Sequence, residues 1–218
     1  MLKNKLIFAS STVILLVTLI IALLYIDVGY VNGNVGLFVI NNFFATYKIN
    51  SSWDIFTTVI LDITFVFIFT LVGIGIFQAI KRRSILKIDR NVVVTEILVV
   101  LMLLFSLFFS NVIFINNSPV LQNGVEVSSF PSNHIVIVTF VFLTLATLVK
   151  DYFEIVKIGK INIICKFVSF GIAIIMIALM VVGKTLSGRI WFTDAISGLL
   201  LGLFFYSLFL LFKEKSIK

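Results

Sequence analysis

Long apolar runs broken by short polar stretches dominate the chain. They lie at Leu6–Ile26, Ile55–Ile80, Val92–Ile115, Ile135–Val149, Ile161–Val182 and Ile190–Phe212. All but the fourth reach the ~20 helical residues that cross a bilayer's hydrocarbon core. The fourth is short, which predicts that its helix begins earlier, within the Ser132-Asn133-His134 turn. The pattern predicts an all-α polytopic membrane protein with six transmembrane helices in one domain, residues 1–218. No repeat, heptad or low-complexity tract divides it. Leu6–Ile26 exceeds a usual signal-peptide core and lacks a small-x-small cleavage site, so it is expected to be a retained first span.

The polar breaks carry their own signals. Asn32-Gly33-Asn34 reads as a turn. Leu37–Tyr47 reads as an amphipathic helix in the headgroup region or as a plain packing helix over the bundle. Trp53 sits where interfacial tryptophans belong. Gly198 and Gly202 have the small-xxx-small spacing that lets membrane helices pack closely. Asp62 and Glu96 fall inside spans, where an ionisable residue is a functional hypothesis by default. Glu96, about one turn from a basic loop, is expected to snorkel or to pair with Arg90 or Lys87. Asp62 either serves a polar site or hydrogen-bonds a neighbouring helix.

Composition strengthens the membrane reading. The chain is 61% hydrophobic and 12% charged, with a mean hydropathy of +1.20, which excludes an ordinary soluble domain. Of its 17 basic residues, only Lys48, Lys184 and Arg189 fall on one side of the expected bundle. The others cluster at Lys3 and Lys5, Lys81–Arg90, Lys150–Lys166 and Lys213–Lys218. The positive-inside rule therefore places both termini in the cytoplasm of a cell membrane. Anionic lipid headgroups account for the net charge of +7, so no nucleic-acid partner is implied. The outward loops are then Asp27–Asp54, Asn116–Asn133 and a short Gly183–Arg189 turn. The single cysteine, Cys165, excludes an intramolecular disulfide and a cysteine-based metal site. No metal or cofactor is expected: one histidine cannot build a zinc site, and neither a P-loop nor a Rossmann fingerprint is present.

That histidine, His134, closes the run Phe130-Pro131-Ser132-Asn133-His134 at the outer end of the fourth span. Imidazole titrates near neutrality and suits proton transfer or phosphoryl chemistry. An interfacial histidine that only caps or hydrogen-bonds is the alternative. His134 and Gly183–Asp194, remote in sequence, share the outer face.

These outer segments, in order, resemble the type 2 phosphatidic acid phosphatases, six-span lipid phosphatases with three signatures. The family's Pro-Ser-Gly-His is matched by Pro131-Ser132-Asn133-His134, with Asn in place of Gly. Its Ser-Arg, five residues, His, three residues, Asp is matched in spacing by Gly183-Lys184, then Ile190, then Asp194. Its Lys, six residues, Arg-Pro is matched only by Asn111, six residues, Ser118-Pro119. A similar spacing at Arg83 and Arg90 lies on the cytoplasmic side. The resemblance covers a core of about residues 55–212 and implies the family's helical bundle.

It also implies roles. In active members the third-signature histidine attacks phosphorus, its carboxylate orients the ring, and the second-signature histidine protonates the leaving oxygen. Lysine and arginines hold the phosphate oxygens. Carried over, His134 is the proton donor and Asp194 the orienting acid. Lys184 is the one aligned cation, standing at the family's arginine, and Arg189 is an extra cation nearby, with Ser132, Asn133, Asn111 and Ser118 as further phosphate-binding candidates. Ile190 stands at the nucleophile and has no lone pair to offer. Asp194, four residues after Ile190, is expected on the same helical face and free to pair with Lys184 or Arg189.

Three functions follow. One is a catalytically impaired homologue that binds a lipid phosphate or polyprenyl diphosphate, undecaprenyl diphosphate among the candidates, at the outer face. A second is an active phosphatase with rearranged chemistry, in which His134 attacks or Asp194 attacks or activates water. A third is a structural or transport protein reusing the fold. The lipid, the oligomeric state and catalytic competence stay open.

Overall fold

The computed structural model describes residues 2–48, 52–111, 115–121, 123–156 and 161–213. Six long apolar helices form the bundle: α1 (Leu2–Tyr25), α3 (Ser52–Lys81), α4 (Arg90–Asn111), α5 (Asn133–Val156), α6 (Ile161–Ser187) and α7 (Phe192–Phe212). A small cap lies between α1 and α3. It holds a hairpin of β1 (Gly29–Tyr30) and β2 (Asn34–Val35), followed by the short helix α2 (Phe38–Ala45). The Asn-Gly-Asn turn is thus a hairpin turn, with Asn32 and Gly33 at positive φ. The Leu37–Tyr47 stretch is helical through α2.

Helix α5 is the axis of the bundle. It packs against α6, α7, α3 and α4, and Ile135, Val136, Val138, Phe140 and Val141 are essentially fully buried. As the chain's polarity predicts, α5 begins at Asn133, inside the Ser-Asn-His turn. Contact with α7 is close because α7 presents glycine. A Cβ at Gly202 would sit 2.6 Å from Thr139 Cβ, and one at Gly198 would sit 2.7 Å from the Ser132 carbonyl oxygen. The small-xxx-small spacing is therefore a real helix–helix seam. α1 lies on the outside of α7, and α3 lies against α6. The outward faces of α1, α3, α4 and α6 remain apolar and exposed, the surface a lipid environment requires.

The opposite end of the bundle is tied by charge. Lys213 pairs with the buried Asp151, joining α7 to α5. Thr147 and Tyr206 hydroxyls hydrogen-bond at 2.9 Å one turn further in. Lys5 Nζ donates to the Leu210 carbonyl, so the start of α1 and the end of α7 meet on one side. The basic loop between α3 and α4 closes on itself through Arg82–Asp89 at 2.8 Å. Lys157, Lys160, Lys215 and Lys218 lie outside the described residues.

Several expectations need correction. α4 ends at Asn111, so Ile115 is not helical but buried in the loop between α4 and α5. α6 does not stop at Val182; it runs to Ser187 and carries Lys184 in its last turn. Gly188, at φ +67°, ends it in the left-handed conformation usual beyond a helix C-terminus. Glu96 forms no ion pair among the described residues, and its Oε1 is buried without a hydrogen-bond partner. Asp62 is exposed on the outer surface of α3 and joins no polar cluster among the described residues.

Candidate functional site

The start of α3 and the end of α6 meet at the end of the bundle that the charge pattern predicts to face out, here called the outer end, because α6 has glycine there. A Cβ at Gly183 would lie 2.6 Å from Thr57 Cγ2 and 3.2 Å from Trp53 Cε3. With the two helices this close, the next residue of α6 reaches the first turn of α3. Lys184 Nζ donates to Asp54 Oδ1 at 2.8 Å. Arg189 Nε, from the turn after α6, lies 3.4 Å from Asp54 Oδ2. Both candidate cations therefore converge on one carboxylate. The Lys184 side chain is 5% exposed, Asp54 26% and Arg189 54%, so the cluster opens outward from a buried ammonium to a solvated guanidinium.

His134 completes the cluster. It is the second residue of α5 and keeps exposed surface, and the charged neighbours acting on its imidazole are Lys184 and Asp54. Two elements set its position. The Ser132 carbonyl starts α5 by accepting the Ile135 and Val136 N–H groups, each at 3.1 Å. The Ser132 N–H donates to the Asp194 carbonyl at 3.2 Å, tying the entry of α5 to the first turn of α7. The three remote stretches thus converge at one level of the bundle.

Asp194 is placed differently from the expected pairing with Lys184 or Arg189. Its side chain has no exposed surface. Asn116 Nδ2 donates to Oδ1 at 2.8 Å, and Ser129 Oγ donates to Oδ2. Asn116 also donates to Thr193 Oγ1 at 3.2 Å and accepts the Gly36 N–H at 2.9 Å. Asn41 joins from α2, donating to Thr193 Oγ1 at 2.9 Å and accepting the Thr193 N–H at 3.1 Å. The Asp194 carboxylate is therefore the knot that fastens both outer loops to α7. A buried charge demands such partners, and the first turn of a helix favours a carboxylate.

Ile190 does not share a helical face with Asp194. It precedes α7, whose first residue, Phe192, follows an extended Trp191 (φ −75°, ψ 154°). Trp191 Nε1 donates to the Asn117 carbonyl at 2.6 Å, which fixes the turn. Ile190 instead helps wall a cavity of about 160 Å³ under the cap, with Phe44, Lys48, Thr185, Gly188 and Trp191 among its neighbours. His134, Asp54 and Lys184 lie outside that lining.

The remaining candidates separate. Ser118 is buried; its Oγ accepts the Val120 N–H at 3.2 Å and donates to the Arg189 carbonyl at 3.4 Å. It braces the turn that carries Arg189. Ser132 is buried and Asn133 half-buried beside His134. Asn111 ends α4, and its side chain lies outside the described residues. Sequence reasoning missed Asp54, although an acidic residue directly after an interfacial tryptophan, on the side with few cations, was a usable signal. It also missed Asn41, Asn116 and Ser129, whose amides and hydroxyl carry no motif. Among the described residues no His/Cys/Asp/Glu group could hold a metal ion.

Comparison with known proteins agrees with this architecture. No curated protein and no solved structure matches the chain. The family model described as the PAP2 superfamily matches residues 63–218, from α3 through the carboxyl terminus. That match covers most of the chain, four of its six spans whole and the greater part of α3, so the protein belongs to the PAP2 superfamily of membrane phosphatase-like proteins.

Proposed function

We propose that the protein binds a lipid phosphate, a phosphomonoester or polyprenyl diphosphate headgroup, at the extracytoplasmic face of the cell membrane, with little or no turnover. The observation that carries this reading is the cluster of Lys184, Arg189 and His134 around Asp54 at the outer end of the bundle. Preorganised cations at the mouth of a low-dielectric bundle are what phosphate oxygens require. Lys184 supplies a point charge and Arg189 a planar fork. In this reading His134 donates a hydrogen bond to the headgroup or a proton to its leaving oxygen.

The missing part is the nucleophile. Phosphoryl transfer through a histidine needs an imidazole lone pair aimed by a hydrogen bond, and Ile190 offers neither. Asp194 does not substitute for it: both of its oxygens are engaged and it has no exposed surface. In this reading Asp194 holds α7 and the loops in register. Ser132 and Asn133 frame His134, and Ser118 braces Arg189.

A second reading keeps activity. The exposed His134 with the Lys184 ammonium acting on its imidazole is the observation in its favour. His134 would attack phosphorus, forming a P–N bond as the P–O bond to the lipid breaks, with the leaving alkoxide taking its proton from water; a second water would then attack the phosphohistidine, breaking the P–N bond and releasing phosphate. Phosphate release from phosphatidic acid and a polyprenyl diphosphate decides between the two. The impaired reading expects release no faster from wild type than from His134→Ala. Release by wild type that His134→Ala abolishes would establish the active reading instead.

A further inference from the structure

Asp54 lies outside the family match, in the part of α3 that precedes residue 63. It nevertheless sits at the centre of the outer cluster, bonded to one cation at 2.8 Å and within 3.4 Å of the other. Any anion that uses Lys184 and Arg189 must therefore displace, or share them with, a carboxylate of the same chain. That carboxylate is tethered, so it competes at high effective concentration. It carries a single charge and offers two oxygens.

Membrane anions differ in what they bring against it. A phosphodiester headgroup carries one negative charge, no more than Asp54 itself. A phosphomonoester carries about −1.5 to −2 near neutrality, with three terminal oxygens. A diphosphate carries at least as much. Lys184 has three N–H donors and Arg189 a fork, enough to hold the richer set of oxygens. Exchanging Asp54 for a diester therefore gains no charge, whereas exchanging it for a monoester or diphosphate does.

We propose that Asp54 is a specificity-determining residue: an internal anion that withholds Lys184 and Arg189 from singly charged phosphodiester headgroups and yields them to phosphomonoester or diphosphate headgroups. The inference rests on reading the outer cluster as a lipid-phosphate site. It gives that site a means of ignoring the phosphodiester lipids that would otherwise fill a cationic pocket at a membrane surface.

The test uses the full chain in uncharged detergent micelles, titrated with short-chain phosphatidic acid, short-chain phosphatidylglycerol and inorganic phosphate. Wild type should bind phosphatidic acid about tenfold or more tighter than phosphatidylglycerol. Asp54→Asn and Asp54→Ser should each tighten phosphatidylglycerol binding by about tenfold and close that gap, whereas Asp54→Glu should keep it. Inorganic phosphate should bind more weakly than phosphatidic acid; equal affinity would overturn the lipid assignment. Neutral variants that keep the wild-type preference would overturn the role of Asp54 while leaving the site intact. Should neither neutral variant fold, wild type binding the two lipids equally would overturn it. No saturable binding of any of the three ligands would instead overturn the site itself.

Discussion

At the residue scale, two aspartates at the outer face do opposite jobs. Asp54 is half-buried and faces cations, while Asp194 is fully buried and faces neutral donors. Removing the second is a stability event. Asp194→Ala takes the better acceptor from the Asn116 amide and from the half-buried Ser129 hydroxyl, leaving them the longer contacts at 3.2 and 3.5 Å, at a cost of about 1–3 kcal/mol in all. Asp194→Asn should cost less, because the Ser129 hydroxyl can turn to accept. Thermal unfolding in detergent checks both, and an Asp194→Ala protein as stable as wild type would contradict the knot. Ile190→His is expected to leave phosphate release unchanged. The new imidazole would stand before α7, beside the cavity under the cap, and the Asp194 oxygens that would aim it are already engaged. A rise in release of about a hundredfold, the scale of one positioned acid or base, would show that the pocket needs only its nucleophile. His134 and Lys184 were legible in the sequence because they stand at signature positions, and Arg189 because it is a rare cation on the side with few of them. Asp54, Asn41 and Asn116 were not, because a hydrogen bond across 77 or 130 residues leaves no local pattern.

At the element scale, helix ends decide where the chemistry sits. α6 runs a full turn beyond its apolar stretch, so Lys184 is held by a helix rather than by a loop. Hydrophobic pattern locates the membrane core of a helix, but a polar last turn stays helical as long as nothing breaks it, and here the break is Gly188. For the same reason the fourth apolar run is shorter than α5; the third span is the opposite case, since the apolar Ile115 lies in the loop beyond α4. The α5–α7 seam is equally specific. Gly202→Leu would drive a side chain into Thr139 and the Val136 carbonyl, and overpacking of this kind costs typically ~1–3 kcal/mol. At the far end, Asp151→Ala strands the largely buried Lys213 ammonium, and breaking a buried pair from one side costs about 3–5 kcal/mol. Melting in detergent measures both substitutions; unchanged midpoints would mean that α5 and α7 are not packed as described.

At the scale of the whole molecule, six spans return both termini to one side, and the contact of Lys5 with Leu210 shows them meeting there. The positive-inside rule predicts that the end carrying the cluster around Asp54 faces out. In a Cys165→Ser background, Leu86→Cys is expected to react with an impermeant thiol reagent only after the membrane is opened, and Tyr47→Cys in intact cells. Both positions are exposed, at 97% and 55%, and the reverse pattern would invert the topology. The fold class was legible because a bilayer dictates span length, and the composite cluster was foreshadowed by charge sparseness on one side. The account as a whole is that of a phosphate-binding membrane site without a nucleophile. Its most direct test is to incubate the purified chain with headgroup-labelled phosphatidic acid and follow retained lipid and released phosphate together. The account predicts saturable retention of intact lipid, lost in Lys184→Met, with no release above the His134→Ala level. Steady release by wild type that His134→Ala abolishes, or no saturable retention at all, would contradict it.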